Sequence, residues 1–246
     1  MFLWCLQQTI AQHESAIWYF GNHAGLDFNT GVPVVLENGA LGTAEGCATM
    51  ADPQGNLLFY TDGVTVWDRM HQPMPNGTDL KGHSSSTQSA IIIPHPGDQN
   101  RYYIFTTYFQ VQGGLYFSEL DLSLNGGMRD VASKNILLQN PITEKLTAVK
   151  HKNGTDIWVI THDWGNDRYL AYLVTSAGVA PNPVISPVGL ELDFGTSGND
   201  VFKSRGYLKA STDGTKLGAC HSFVGVELLD FDTESGTVSN PEVLMQ

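Results

Sequence analysis

Hydrophobic positions along this chain come in short runs with a period near two, cut by turn residues. From Glu45 the sequence EGCATMADPQGNLLFYTDGVTVWD reads as a short strand containing Ala48, a tight turn, and a second, more hydrophobic strand. The same order returns in TQSAIIIPHPGDQNRYYIFTT from Thr87, continued by GGLYFSELDLSLNGG. It returns again in EKLTAVKHKNGTDIWVITHDWGNDRYLAYLVTSAGV from Glu144 and in GYLKASTDGTKLGACHSFVGVELLDFDTESGTV from Gly206. The last two share a tail, Asn182-Pro183-Val184-Ile185 and Asn240-Pro241-Glu242-Val243.

The landmarks keep blade-like intervals. Ala48, Ala90, Ala148 and Ala210 are 42, 58 and 62 residues apart, while Gly154 and Gly214 are 60 apart and Gly178 and Gly236 are 58 apart. Such periods predict an all-β chain, a β-propeller of four-stranded antiparallel blades. The recurring alanines suit innermost strands, where small side chains allow close approach at an axis. Leu58, Phe59, Tyr103, Trp158 and Leu229 suit the faces where blades stack. Asn153-Gly154 and Asp213-Gly214 predict two-residue hairpin turns. No segment longer than about twelve residues carries a 3.6-residue period, so little helix is expected.

The repeats begin near residues 45, 87, 144 and 206 and define one domain over 13–246. They number about four, which predicts a partial arc of a larger propeller. IWYF, within residues 17–43, is the candidate strand for completing the last blade.

Composition sharpens this picture. There are 26 glycines, and charged residues make up only 15 % of the 246. That suits many strands and tight turns. Lys and Arg number 13 against 25 Asp and Glu, a net charge of −12. Such a balance excludes a nucleic-acid backbone as partner, since few cations exist to displace its counterions. No stretch reaches the ~18 apolar residues of a membrane span. The start, MFLWCLQQTIAQ, reads as the remnant of a secretory signal over residues 1–12. Cys47 and Cys220 fall within predicted strands and are expected as buried thiols, not a disulfide.

Several stretches together resemble a known family: WYFGNHAGLDF, EGCATMADPQGNLLFYTDGVTVWD, MPNGT, SSSTQSAIIIPHPG, YYIFTT, TEKLTAVKHKNGTDIWVITH and YLAYLVTSAGV. They are similar to the N-terminal propeller-like region of large Bacteroidetes surface proteins. Those proteins end in a gliding-motility-associated, type B sorting domain of the type IX secretion system; no stretch here resembles that domain. The resemblance covers residues 17–190 closely and the rest loosely. It implies export, a propeller and a cell-surface role. It implies no catalytic residues.

Candidate chemistry is sparse. Glu45 and Glu144 precede the inner strands of the first and third repeats, and Gln88, Lys145 and Arg205 occupy similar entries. In a propeller these positions ring the axial funnel, so the five form the candidate ligand-binding set. The simpler role for each is to cap a strand end or face a wet channel. Paired carboxylates there would also serve glycoside hydrolysis. His83, His95, His151 and His162 lie in or beside turns and are expected to be exposed, with no metal-ligand spacing among them. Ser84-Ser85-Ser86-Thr87 lacks the G-x-S-x-G elbow and reads as a polar loop. Trp67-Asp68 suits core packing, and Asn76-Gly77-Thr78 and Asn153-Gly154-Thr155 read as turns. Tyr108, Phe109 and Trp164 are loop aromatics able to stack on sugar rings.

The expectation is a secreted, cell-surface binding or adhesion scaffold for an extracellular glycan or protein, with no cofactor and no metal. The alternatives are a propeller glycoside hydrolase using Glu45 and Glu144, and a structural spacer.

Overall fold

A computed structural model of the chain describes residues 13–124, 130–193 and 200–245. Among these, five antiparallel sheets follow one another in chain order. The first holds β1 (Ile17–Phe20), β2 (Ala24–Asp27) and β3 (Val34–Leu36). The second holds β4 (Ala48–Ala51), β5 (Leu57–Thr61) and β6 (Val66–Asp68). The third holds β7 (Ala90–Pro94), β8 (Arg101–Thr107), β9 (Leu115–Asp121) and β10 (Asp130–Gln139). The fourth holds β11 (Ile142–Lys150), β12 (Ile157–Asp163), β13 (Asn166–Thr175), β14 (Gly178–Val179) and β15 (Val184–Leu192), with β13 paired to both β14 and β15. The fifth holds β16 (Leu208–Ala210), β17 (Lys216–His221), β18 (Gly225–Phe231) and β19 (Val238–Met245).

Each sheet is a meander, and the first strands of successive sheets lie side by side: β4 against β7, β7 against β11, β11 against β16. The four spaced alanines sit on those strands, Ala48 on β4, Ala90 on β7, Ala148 on β11 and Ala210 on β16. The arrangement is β-rich and propeller-like.

The second strands of the three middle sheets, β5, β8 and β12, explain the unbroken hydrophobic runs. Because side chains alternate, such a strand faces a neighbouring sheet on either side. Tyr60 packs with Tyr19 and Leu41 toward the first sheet, while Phe59 packs with Tyr102 and Ile104 toward the third. Tyr103 and Phe105 join Ile142, Val159 and Tyr172. Trp158 and Ile160 join Leu217, Leu229 and Phe231. Four cores therefore fill the four gaps between sheets, with each large side chain contributing roughly 1.5–3 kcal/mol on burial. Half-buried Trp67 packs against the first of these cores, stacking on Tyr60 at 5.5 Å.

The structure corrects several expectations. The IWYF strand does not complete the last sheet. It pairs with β2, and Tyr19 N–H donates to Thr49 Oγ1 at 3.0 Å, so residues 17–36 form a sheet of their own. The Asn-Gly and Asp-Gly turns are longer than two residues. His151 N–H donates to Asp156 O, and Ser211 N–H to Lys216 O. Inside each loop the Asn153 or Asp213 side chain accepts backbone N–H groups, at Thr155 and Asp156 or at Thr215. Those side-chain caps satisfy donors that a two-residue turn would have paired across the hairpin. Cys220 is exposed on β17 and Cys47 is half-buried, both as free thiols. The proposed signal remnant lies outside the described residues.

Candidate functional site

In a meander whose first strands run the same way, the segments entering those strands gather at one end with the loops between second and third strands. Here that end collects Glu45, residues 83–89, the β8–β9 loop, the 3-10 turn Asp200–Ser204 with Arg205–Tyr207, and the β17–β18 hairpin. All five candidate residues belong to it, and they divide into two groups.

Glu144, Lys145 and Gln88 are internal. Glu144 is 0 % exposed. Its Oε2 accepts from Thr87 N–H at 2.8 Å and Thr87 Oγ1 at 2.9 Å, and its Oε1 accepts from Gln110 N–H at 3.0 Å. Lys145, the next residue, projects its ammonium to three consecutive carbonyls: Lys203 O at 3.1 Å, Ser204 O at 3.0 Å and Arg205 O at 2.9 Å. Burial pulls its pKa down to about 7, with the negative charge of Glu144 pulling the other way. Gln88 stitches two sheets. Its carboxamide accepts from Leu146 N–H (3.0 Å) and Leu208 N–H (2.8 Å), and donates to Leu146 O (2.7 Å) and Leu208 O (3.3 Å). It thus bridges β11 and β16, which share no backbone ladder among the described residues.

Glu45 and Arg205 are open. With Thr87, Gly206, Tyr207 and Ser222 they line a cleft of about 470 Å³, within the size range of small-molecule sites. Glu45 accepts from Ser85 Oγ at 3.2 Å. Gly206 is obligatory: its φ is +131°, and a Cβ would stand 1.9 Å from Cys220 O. Its N–H donates to Thr87 Oγ1 at 3.2 Å, joining the cleft wall to the Glu144 anchor. A larger hollow of about 900 Å³ lies between the second and third sheets. Two of its three carboxylates, Asp52 and Asp98, cap their own turns; the third is Glu14.

The surroundings of Arg205 are unusual. The guanidinium carbon lies 4.3 Å from the Phe202 ring centroid and 5.5 Å from that of Phe109. Its Nε is buried with no hydrogen-bond partner, and no carboxylate pairs with it among the described residues. Three non-glycine residues with positive φ stand around it: Gln110 (49°), Val111 (55°) and Phe223 (62°). A β-branched valine there is strained, and such strain gathers at functional sites. Phe223 is 84 % exposed at the hairpin tip, its ring centroid 6.3 Å from that of Phe202.

Beneath the cleft lies a buried polar network. Glu227 Oε1 accepts from Tyr169 Oη at 2.6 Å and His221 Nε2 at 2.9 Å, and Oε2 accepts from Leu190 N–H at 3.1 Å. Burial raises the Glu227 carboxyl, but the His221 and Tyr169 hydrogen bonds outweigh it and hold its pKa below the ordinary value. His162 Nδ1 donates to Asp163 O at 2.6 Å, and its ring stands 5.5 Å from that of His221. Burial pushes His162 down to about 3 and also lowers His221. Both rings are therefore neutral near pH 7, with His162 Nε2 and His221 Nδ1 buried and unpartnered.

The exposed-histidine expectation thus fails for His162 and His95, both buried; His83 stacks on Phe109 at 4.8 Å. Trp164 is also buried, not a free stacking aromatic, while Tyr108 and Phe109 are half-buried. Sequence reasoning missed His221 and Glu227. The signal was present: in GVELLDF, alternation puts Glu227 on the same face as Leu229 and Phe231, and a carboxylate facing a core requires partners.

No protein-family model matches this chain, and no curated protein does. Solved structures do. A candidate 6-phosphogluconolactonase of Bacteroides fragilis aligns over 92 % of this chain and 67 % of its own, at 12 % identity and a TM-score of 0.51. Another, of Bacteroides uniformis, aligns over 89 % and 64 %, at 15 % identity and a TM-score of 0.44. The Bacteroides ovatus xyloglucan PUL protein GH43B aligns over 63 % and 30 %, at 14 % identity and a TM-score of 0.37. The chain spans about two thirds of the length of the first two and under a third of the last. The likeness to the Bacteroides fragilis protein is one of fold.

Proposed function

We propose that this chain is a propeller-type binding module, its five sheets serving as successive blades, with the Glu45–Arg205 cleft as its ligand site. The observation that carries this is the division of the candidate residues. Glu144, Lys145 and Gln88 spend their polar atoms holding the blade ends together, whereas Glu45 and Arg205 stay open to an incoming molecule. The resemblance to exported Bacteroidetes surface proteins supports an extracellular setting, as part of a surface scaffold that engages a glycan or a protein.

A hydrolase built on Glu45 and Glu144 would need both carboxylates at one substrate. Glu144 is wholly buried and holds hydrogen bonds from Thr87 and Gln110, so only Glu45 is placed to meet a ligand. The test is a glycan-array screen run beside hydrolysis assays on the same polysaccharides. Binding without turnover, weakened by Arg205→Met, is the expected result. Turnover abolished by Glu45→Gln would replace the binding role with a catalytic one.

A further inference from the structure

We infer that the cleft selects an anionic sugar, a pyranose bearing a carboxylate or phosphate, with Arg205 taking the anion and Phe223 and Tyr207 covering the ring. This rests on the cleft being the ligand site.

Three features of the rim support it. The first is an arginine with unused donors. Acidic residues outnumber basic ones by 25 to 13, and several cations are held in ion pairs with carboxylates. Lys152 pairs with Glu234, Lys203 with Asp193 and Asp200, and Lys216 with Asp230. Arg205 instead lies between Phe109 and Phe202, whose rings fix the guanidinium plane and strip part of its water. A planar fork so held is preorganised for two-point bonding to a carboxylate or phosphate, and weakened hydration strengthens that bond.

The second is apolar surface where stability gains nothing from it. Tyr207 is 50 % exposed and Phe223 is 84 % exposed, on neighbouring segments of the fifth sheet. Phe223 also occupies the left-handed region, where glycine or asparagine would be the low-energy choice. A phenyl ring offers a flat apolar face and no hydrogen bond. Its natural partner is a ring with an apolar C–H face.

The third is the remaining polar set: the Glu45 carboxylate and the Ser222 and Tyr207 hydroxyls. These are acceptors and short donors suited to alcohol groups. Flat apolar faces, hydroxyl partners and one unpaired cation together describe a polyhydroxylated ring with a single negative group. A polyphosphate chain fits poorly, because one arginine beside Glu45 cannot neutralise successive charges.

The experiment is calorimetric titration of the full chain with three probes: an oligogalacturonide, glucose 6-phosphate and a neutral galacto-oligosaccharide. Each is repeated on Arg205→Met, Arg205→Lys and Phe223→Ala, with near-UV circular dichroism confirming each fold. The expected result is binding of one anionic probe about tenfold or more tighter than the neutral one, falling with added salt. Arg205→Met should erase that preference, Arg205→Lys should restore it only in part, and Phe223→Ala should weaken all saccharides. The uronide and phosphate arms show which anion is meant. Neutral saccharide bound as tightly as both anionic probes, unaffected by Arg205→Met but weakened by Phe223→Ala, would overturn the anionic assignment and leave the cleft as the site. No binding of any probe would overturn both.

Discussion

Lys145 Nζ stands 2.9 Å from the carbonyl oxygen of Arg205, so the buried lysine of β11 fixes the backbone of the half-buried arginine in the cleft. Two further carbonyls, of Lys203 and Ser204, converge on the same ammonium. Replacing Lys145 with Met would leave the Lys203 and Ser204 carbonyls without a donor and Arg205 O with only the Ser222 N–H. The expected cost is about 2–4 kcal/mol in urea denaturation, together with weaker ligand binding. A variant that kept full stability would show that the 203–205 segment is held by other contacts.

Gln88 offers a sharper test of how adjacent sheets are joined. Its carboxamide donates to two carbonyls and accepts from two N–H groups on β11 and β16. Gln88→Glu keeps the shape but sets a second acceptor against Leu146 O and Leu208 O. Gln88→Met removes all four bonds without adding repulsion. At pH 7 the glutamate variant should be the less stable of the two, both lying about 2–4 kcal/mol below the parent. The gap between the two variants should narrow at acid pH as the new carboxyl protonates. A glutamate variant as stable as the parent would mean that the amide is not the bridge.

Why Gln88 looked like a funnel residue, and Glu227 like nothing at all, shows what the sequence carried. Periodicity, turn residues and the spaced alanines were enough to find the first strands of four sheets. The strand Ile17–Phe20 was found but misassigned, because three short strands with exposed valines at Val34 and Val35 give little alternation to read. For the site, entry positions could be recognised but not their direction. Successive residues on a strand point opposite ways, yet the pairing of β11 with β12 is irregular between Ile142 and Leu146. Glu144 and Lys145 fall within that irregularity, and both end up buried. The ring of strained and aromatic residues around Arg205 comes from three separate loops, and no local pattern links them.

The network below the cleft predicts an acid limb to stability. His162 is held near 3 and His221 is lowered too, so the folded chain keeps both neutral where the unfolded chain would take up protons. The unfolded state therefore binds more protons as pH falls below about 6.5, and stability is lost from there down toward the folded values. Glu227, also lowered, acts in the same direction but only at more acid pH. Urea midpoints should fall below pH 6.5, with each buried histidine contributing up to about 1.4 kcal/mol per pH unit, while Lys145, lowered to about 7, should make them rise with pH above 7 toward the ordinary lysine range. His162→Asn should flatten this slope even if it lowers the plateau. An unchanged slope would place the acid sensitivity elsewhere.

Phe223 separates stability from function most cleanly. Its φ is 62°, a conformation costing a non-glycine residue about 1 kcal/mol, and at 84 % exposure its ring buries little. Phe223→Gly removes that backbone cost. It adds a similar entropy to the unfolded chain, roughly 0.5–1 kcal/mol, so the two nearly cancel. The variant should stay within about 1 kcal/mol of the parent in urea, because almost no packed surface is lost. If the ring exists to cover a ligand, the same variant should bind saccharide about tenfold more weakly. A stability loss above about 2 kcal/mol would mean that Phe223 packs in the fold more than its exposure indicates. Unchanged stability with unchanged binding would remove Phe223 from the site and leave its strained backbone without a role in recognition.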